Sequence, residues 1–155
     1  MFLTKLGCGI AAGAAGVTAL NAITYLDMAV RARPASEAPS QAVQELARKA
    51  GTEIPGEGEE RGNRLAGLGP LAGLATGIAV GAAAAFAWPA LGRVPLPLAA
   101  TMLGAAAMAG SDGQLVALGL TKPAGWTAAD WASDVIPHLG YGAAACATLA
   151  ALNRN

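Results

Sequence analysis

Long apolar runs, interrupted by few polar residues, mark four candidate membrane spans. They cover residues 6–30, 70–91, 96–120 and 135–152. A helix rises about 1.5 Å per residue, so about 20 residues cross the roughly 30 Å hydrocarbon core of a bilayer. Lipid offers the backbone no hydrogen bonds, so such runs must be helical. The pattern predicts an all-α fold: one integral membrane domain over residues 1–155, built as a four-helix transmembrane bundle.

The connection over residues 31–69 predicts one short amphipathic helix. Val43, Leu46, Ala47 and Ala50 follow helical spacing, and Gly51 is a stop signal, so we expect a helix over 39–50. Such a helix either covers the inner end of the bundle or lies on lipid headgroups. The glycine- and glutamate-rich stretch 52–63 predicts a solvated loop.

The connection before the fourth run begins with a helix signal. Thr127 and Asp130 fit a capping box, which places a helix start near Ala128 and leads through Pro137 into the last span. The turn at Arg33-Pro34-Ala35 is similar to the turn at Lys122-Pro123-Ala124. Both turns follow an odd-numbered span, which indicates a two-plus-two parallel pseudo-repeat. Chance similarity in an alanine-rich chain is the alternative.

Composition places the chain in lipid. It contains 40 alanines and 21 glycines, and only 13% of its residues are charged, against about 25% in an ordinary soluble domain. Ten basic residues balance ten acidic ones and there are two cysteines. This excludes a nucleic-acid partner, a disordered chain and a disulfide scaffold. The expected partner is the bilayer itself, with a membrane protein or a second copy as a further candidate.

Basic residues near the span ends predict the orientation. The two longer connections hold seven: Arg31, Arg33, Arg48, Lys49, Arg61, Arg64 and Lys122. Lys5, Arg93 and Arg154 lie on the opposite side. Because basic loops stay in the cytoplasm, we expect both termini to be extracytoplasmic. Trp126 and Trp131 fall near a span end, where interfacial aromatics are typical.

Glycines in two spans predict close helix packing of the glycine-zipper kind. They are Gly69, Gly73, Gly77 and Gly81 in the second span, and Gly9 and Gly13 in the first. Small residues at four-residue spacing let two membrane helices approach closely. The facing helix is either span one or a helix of another subunit.

Polar residues inside the spans are the candidate functional groups. Asp112 lies past the membrane midplane, with His138, Asn21, Gln114 and Lys122 as possible partners. Buried carboxyl groups of this kind occur in proton relays, and the alternatives are a hydrogen-bonded strut or a break in the helix.

His138, the only histidine, lies one helical turn after Asp134. Such a pair either shuttles protons or anchors the entrance of a helix. The spacing of histidines, cysteines and carboxylates matches no metal site, and no catalytic motif or cofactor signature is present.

Three segments carry a resemblance to known proteins. The stretch Asn63-Arg64-Leu65-Ala66-Gly67-Leu68-Gly69-Pro70-Leu71, the turn over 31–36, and the closing Pro137-His138-Leu139-Gly140-Tyr141-Gly142 resemble uncharacterised four-span membrane proteins of high-GC actinobacteria. The closing His-Leu-x-Tyr-Gly is also similar to a broader set of small bacterial inner-membrane proteins. The resemblance implies a bacterial plasma membrane and carries no activity with it.

These observations favour a structural or accessory membrane protein, not an enzyme, which packs through glycine faces within an assembly or with itself. The alternative is a small transporter or channel for protons or a solute, with Asp112, His138 and Asn21 along its path. A membrane enzyme that uses Asp134 and His138 is a more distant third class. A water-accessible cavity at Asp112 distinguishes the transporter, whereas a dry, satisfied Asp112 fits the accessory role.

Overall fold

The computed structural model describes residues 2–153, and all of the regular secondary structure in that range is helical, with no strand. The elements are α1 (Phe2–Arg31), α2 (Ala38–Lys49), α3 (Gly58–Leu91), α4 (Leu96–Ala117), a 3-10 turn (Pro123–Gly125) and α5 (Ala128–Leu152). The all-α prediction is confirmed. Arg154, which entered the orientation argument, lies outside the described residues.

Three of these helices, not four, are long and apolar enough to cross a membrane by their length and composition. They are α1, α3 and α5. The third predicted span corresponds to α4, which ends at Ala117 instead of Leu120. Its last two turns contain Ser111, Asp112 and Gln114, and these polar residues lower the mean hydropathy of the helix.

Helix α3 begins well before the predicted span, so the predicted loop over 52–63 is wrong in its second half. The helix starts at Gly58, and Glu59 and Glu60 occupy its first turn. Negative charges there are stabilised by the helix dipole. The acidic run that indicated a loop is therefore a helix start.

The predicted capping box is present at the start of α5. The Thr127 hydroxyl accepts a hydrogen bond from the Asp130 backbone N–H at 3.2 Å, and the Asp130 carboxylate accepts one from the Thr127 N–H at 2.9 Å. From Ala128 the helix continues to Leu152 through Pro137. No separate amphipathic helix stands before α5, so the second half of the proposed repeat lacks a counterpart of α2.

The four long helices form a ring in which neighbours are antiparallel. Helix α1 packs against α3 and α5, while α4 packs against α5 and α3. Along α1, Gly9 lies beside Ala82 and Gly13 beside Ile78 of α3. Helices α1 and α5 also run in opposite directions, because Ile23 lies at Gly140 and Arg31 at Ser133. Within residues 2–153, α1 and α4 make no contact across the ring.

Glycines set the α1–α3 distance. A Cβ added at Gly81 would lie 2.5 Å from the Gly13 Cα, and one added at Gly9 would lie 2.5 Å from the Ala82 Cα. Real Cβ atoms do not approach other atoms so closely, so the two backbones are in contact here. Gly77 completes this surface against Val17. The facing helix is span one of the same chain.

The expected row of four packing glycines is interrupted, because α3 contacts two different helices. Gly69 packs against α2, where an added Cβ would lie 2.8 Å from the Ser40 backbone N. The Ser40 hydroxyl also donates to the Leu65 carbonyl at 3.1 Å. Gly73, between the α2 and α1 contacts, has no atom within 4 Å of an added Cβ. Gly73 therefore faces no helix within residues 2–153, and its predicted packing against a helix of another subunit stays a prediction. Helix α2 packs against α3, which agrees with the alternative in which it covers the bundle.

A buried tyrosine joins three helices. The side chain of Tyr141 on α5 is fully buried. Its hydroxyl donates to the Gly77 carbonyl of α3 at 2.6 Å, and its ring lies against Gly16 of α1, where a Cβ would be 2.6 Å away. Cys146 and Leu149 extend the same core along α5.

Two glycine substitutions test this packing. Because an added Cβ at Gly81 meets the α1 backbone, we expect Gly81→Ala to lower the free energy of unfolding by about 1–3 kcal/mol. Gly73→Ala should leave it unchanged or raise it by up to about 1 kcal/mol, since a helical alanine is favoured over glycine. Unfolding in detergent followed by circular dichroism measures both. Equal effects of the two changes would contradict the assignment of the α1–α3 contact.

Candidate functional site

The structure brings three of the predicted polar residues together between α4 and α5. Asp134 and His138 lie one turn apart near the start of α5, and Asp112 comes from the last two turns of α4. The two helices approach closely because Gly104 faces the His138 carbonyl, where a Cβ would lie 2.6 Å from the oxygen. We call Ser111, Asp112, Asp134 and His138 the carboxyl–histidine cluster.

His138 is held by both helices and is only 8% exposed. Its Nδ1 lies 2.8 Å from the Asp134 carbonyl oxygen and 3.3 Å from the Asp134 carboxylate. Both of these groups are acceptors, so Nδ1 carries a proton. Its Nε2 lies 3.3 Å from the Ser111 hydroxyl. The Nε2 edge of the imidazole therefore faces Ser111 of α4.

The carboxyl groups of Asp112 and Asp134 lie close to each other between α4 and α5. One oxygen of each, Oδ2 in both cases, is buried without a protein donor. Two carboxylates in contact repel each other when both are ionised, and a hydrogen bond between them requires a proton. We therefore expect the pair to share a proton, which would supply the donor that each Oδ2 lacks.

Asn21 does not belong to this cluster, although the sequence made it a candidate partner of Asp112. It lies on α1, which makes no contact with α4 in the described part of the chain. Gln114 is also turned away, because its amide donates to the Gly110 carbonyl of its own helix at 2.8 Å. Lys122 is exposed beyond the end of α4.

A groove reaches Asp112 from the outside of the α4–α5 pair. It encloses about 290 Å³ and is open along one side. Its lining is Ala105, Met108, Ala109, Asp112, Pro123, Trp126 and Trp131. The sequence placed the two tryptophans at the membrane interface but did not connect them with Asp112. The end of α4 and the start of α5 lie at the same end of the bundle. This arrangement brings the two tryptophans close to Asp112.

A second, smaller cavity of about 150 Å³ lies between α1 and α5 and includes Asp27 and Arg31. Both Asp27 oxygens are paired there, one with Arg31 Nε at 2.6 Å and the other with Arg33 Nε at 2.5 Å. The pairing of Asp27 with Arg31 follows their spacing of four residues. This cavity contains no unpartnered carboxyl, so the groove at Asp112 is the better candidate.

Comparison of the chain with protein-family models, with curated proteins and with solved structures gives no significant match. The resemblance to actinobacterial membrane proteins stays a prediction. Over residues 2–153, no three side chains among His, Cys, Asp and Glu are arranged to hold a metal ion. The carboxyl–histidine cluster and its groove are therefore the features of this protein that bear on its function.

A protonated carboxyl in lipid-accessible surroundings reacts with dicyclohexylcarbodiimide, which adds to the acid form. We expect the reagent to label Asp112, because the pair with Asp134 retains a proton. Asp112→Asn should remove the label, since Asp134 then faces only His138 and stays ionised. Mass spectrometry of the labelled protein measures this.

Asp27→Asn is the matched control for the labelling. Asp27 is a second carboxyl inside a long apolar helix, but its two arginines keep it ionised and unreactive. Labelling should survive this change. Labelling that survives Asp112→Asn equally well would contradict the shared proton.

Proposed function

We propose that the protein is a small integral membrane transporter that moves protons together with, or in exchange for, a small solute. The observation that carries this proposal is a pair of carboxyls, Asp112 and Asp134, each with one buried and unpartnered oxygen, of which Asp112 also lines an open groove. A dry bundle that used Asp112 only as a strut would pair both of its oxygens. The groove is the feature that an accessory protein does not require.

The direction of the helices supports four membrane crossings, with α4 as the fourth. Helices α3 and α5 are both antiparallel to α1 and hence parallel to each other. If both cross the membrane in the same direction, the chain between them must return across it. Helix α4 has 22 residues, and this corresponds to about 33 Å. Its Ser111 contacts His138 of α5, and its Asp112 lines the groove beside the two helices.

The orientation proposed from the basic residues places the cluster near the cytoplasmic face. The start of α5 and the end of α4 lie on the same side as the connection that carries most of the arginines. Both termini are then extracytoplasmic, and a bacterial plasma membrane is the proposed location. A groove at this level is within reach of protons and solutes from the cytoplasm.

The chemistry of the cluster suits proton exchange. An ionised carboxylate inside a membrane costs several kcal/mol unless it is paired or hydrated, whereas the protonated pair avoids that cost. His138 bridges the two helices, from Ser111 to Asp134, so it can receive a proton at Nε2 while Nδ1 stays bonded to Asp134. Loading and unloading of the proton therefore changes the contact between α4 and α5.

Proton flux in liposomes tests the proposal. Reconstituted wild-type protein should collapse an imposed pH gradient, reported by an entrapped pH dye, in the presence of valinomycin and potassium. Asp112→Asn cannot ionise, so we expect its flux to fall at least tenfold, to the level of empty liposomes. Asp27→Asn is the control and should retain the flux. Equal rates for wild type and Asp112→Asn would contradict the proposal.

An accessory role is the second candidate, and one observation favours it. Ala75, Ala79, Ala83 and Ala87 form an exposed row on α3 at four-residue spacing, and such a row allows another membrane helix to approach. The packing glycines themselves are covered within the chain, except for Gly73. An assembly would therefore use the alanine row.

Ala79→Leu tests this second role. The larger side chain should weaken association of the helices, seen as a shift to monomer in chemical crosslinking in liposomes. Thr101→Leu on the exposed side of α4 is the control and should leave crosslinking unchanged. A wild-type protein that stays monomeric at all lipid-to-protein ratios would remove the accessory candidate.

A further inference from the structure

We propose that the groove at Asp112 binds an amphipathic organic cation, one with a quaternary ammonium or similar group on a small apolar body. This inference rests on the proposed function, since it names the class of solute that the transporter would exchange for a proton. It depends on three features of the groove: its aromatic lining, its single carboxyl and its size.

Two tryptophans form the aromatic part of the lining. The rings of Trp126 and Trp131 lie edge to face, with centroids 4.9 Å apart and planes at 64°. Trp126 is fixed because its Nε1–H donates to the Thr121 hydroxyl at 2.9 Å. Trp131 is 41% exposed and so is accessible from the groove. Tryptophan faces attract cations, and organic ammonium ions most effectively when water is excluded.

The charge of the groove favours a cation. Asp112 is the only ionisable residue in its lining. The ionisable groups that act on Asp112 are Asp134 and His138, both from α5, and no lysine or arginine is among them. Asp130, at the start of α5, accepts hydrogen bonds from the Thr127 hydroxyl and backbone N–H and is not part of the groove lining. An incoming cation thus meets a carboxyl without a competing basic side chain.

The remaining lining is apolar and selects against small hydrated ions. Met108, Ala105, Ala109 and Pro123 offer no oxygen ligands to replace the water shell of Na⁺ or K⁺. A volume of about 290 Å³ is near the lower end for small-molecule pockets, about 300 Å³. It suits a one-ring cation such as phenyltrimethylammonium.

Binding and proton release are linked at Asp112. With the pair protonated, one hydrogen bond joins Asp112 to Asp134. When the organic cation enters, the pair gives up that proton to water and both carboxyls become ionised beside the cation. One positive charge enters the site and one leaves it, so the charge balances and no bond of the solute changes.

Isothermal titration with phenyltrimethylammonium on the detergent-purified protein tests the site. Titration in two buffers of different ionisation enthalpy reports the number of protons released, and we expect about one per cation bound. Benzenesulfonate, an anion of similar size, should not bind. An anion that binds as tightly as the cation would overturn the assignment.

Variants separate the aromatic contribution from the carboxyl contribution. Trp131→Leu should weaken the affinity about tenfold, within the range of a cation–π contact, whereas Trp131→Phe should recover part of it. Asp112→Asn should weaken binding and abolish the proton release. Trp88→Phe, on α3 and outside the groove, is the control and should bind as the wild type does. Unchanged binding and proton release in a folded Asp112→Asn variant would refute the site.

The result also distinguishes this inference from the proposed function. If phenyltrimethylammonium binds with release of a proton but the liposomes show no proton flux, the site stands and the transport proposal fails. If flux depends on Asp112 but the cation does not bind, transport stands and the organic-cation site is overturned.

Discussion

The fold depends on the close approach of helix backbones at glycine. On the α1–α3 side, Gly13 and Gly81 lie so close that neither position has room for a side chain. On the α4–α5 side, Gly104 and Gly142 face each other in the same way, and a Cβ at Gly142 would be 2.6 Å from the Gly104 backbone N. Lipid provides no hydrophobic force between helices, so such contacts and the hydrogen bonds they allow hold the bundle together.

The same approach determines the chemistry of the cluster. Asp112 follows Gly104 by about two turns on α4, and Asp134 precedes Gly142 by about two turns on α5. Because the helices are antiparallel, the glycine contact brings the two carboxyls to one level and close to each other. A wider separation of α4 and α5 would place lipid tails between the carboxyls. Packing and function therefore have one physical origin here.

Sequence patterns predict features that repeat along a single helix, and they miss features that depend on contact between two helices. Hydropathy locates the helices, and the three-residue spacing of Thr127 and Asp130 correctly gives the capping box, because both depend on neighbours in the chain. Gly73 fits the same spacing as Gly77 and Gly81 but faces no helix. The spacing of the glycines does not show where along α3 the contacts with α2 end and those with α1 begin. The first turn of α3, predicted as loop, shows that an acidic glycine-rich segment suits a helix start as well.

The residues of the site are also predictable one by one from the sequence, whereas their arrangement is not. Asp112 and His138 stand out individually in the sequence, as rare polar residues in apolar surroundings. Their arrangement depends on the order of the helices around the ring, which places α5 beside α4 and leaves Asn21 on a helix that never meets Asp112. The tryptophans fit an interfacial role by sequence alone, and only the shared end of α4 and α5 brings them to Asp112. Order around a ring is a tertiary property, so no local pattern contains it.

The unpartnered carboxyl oxygens are compatible with a stable bundle because stability comes from elsewhere in the ring. Tyr141 satisfies its hydroxyl on Gly77, and Asp27 satisfies both oxygens on two arginines. The first of these contacts joins α5 to α3, and the Asp27 ion pairs hold the end of α1 and the turn after it together. Natural proteins concentrate local conflicts, such as a pair of carboxyls with unsatisfied oxygens, at functional sites. The contrast between Asp27, whose two oxygens are paired, and Asp112, which has an unpartnered oxygen, is the strongest reason to assign the function to the α4–α5 side of the ring.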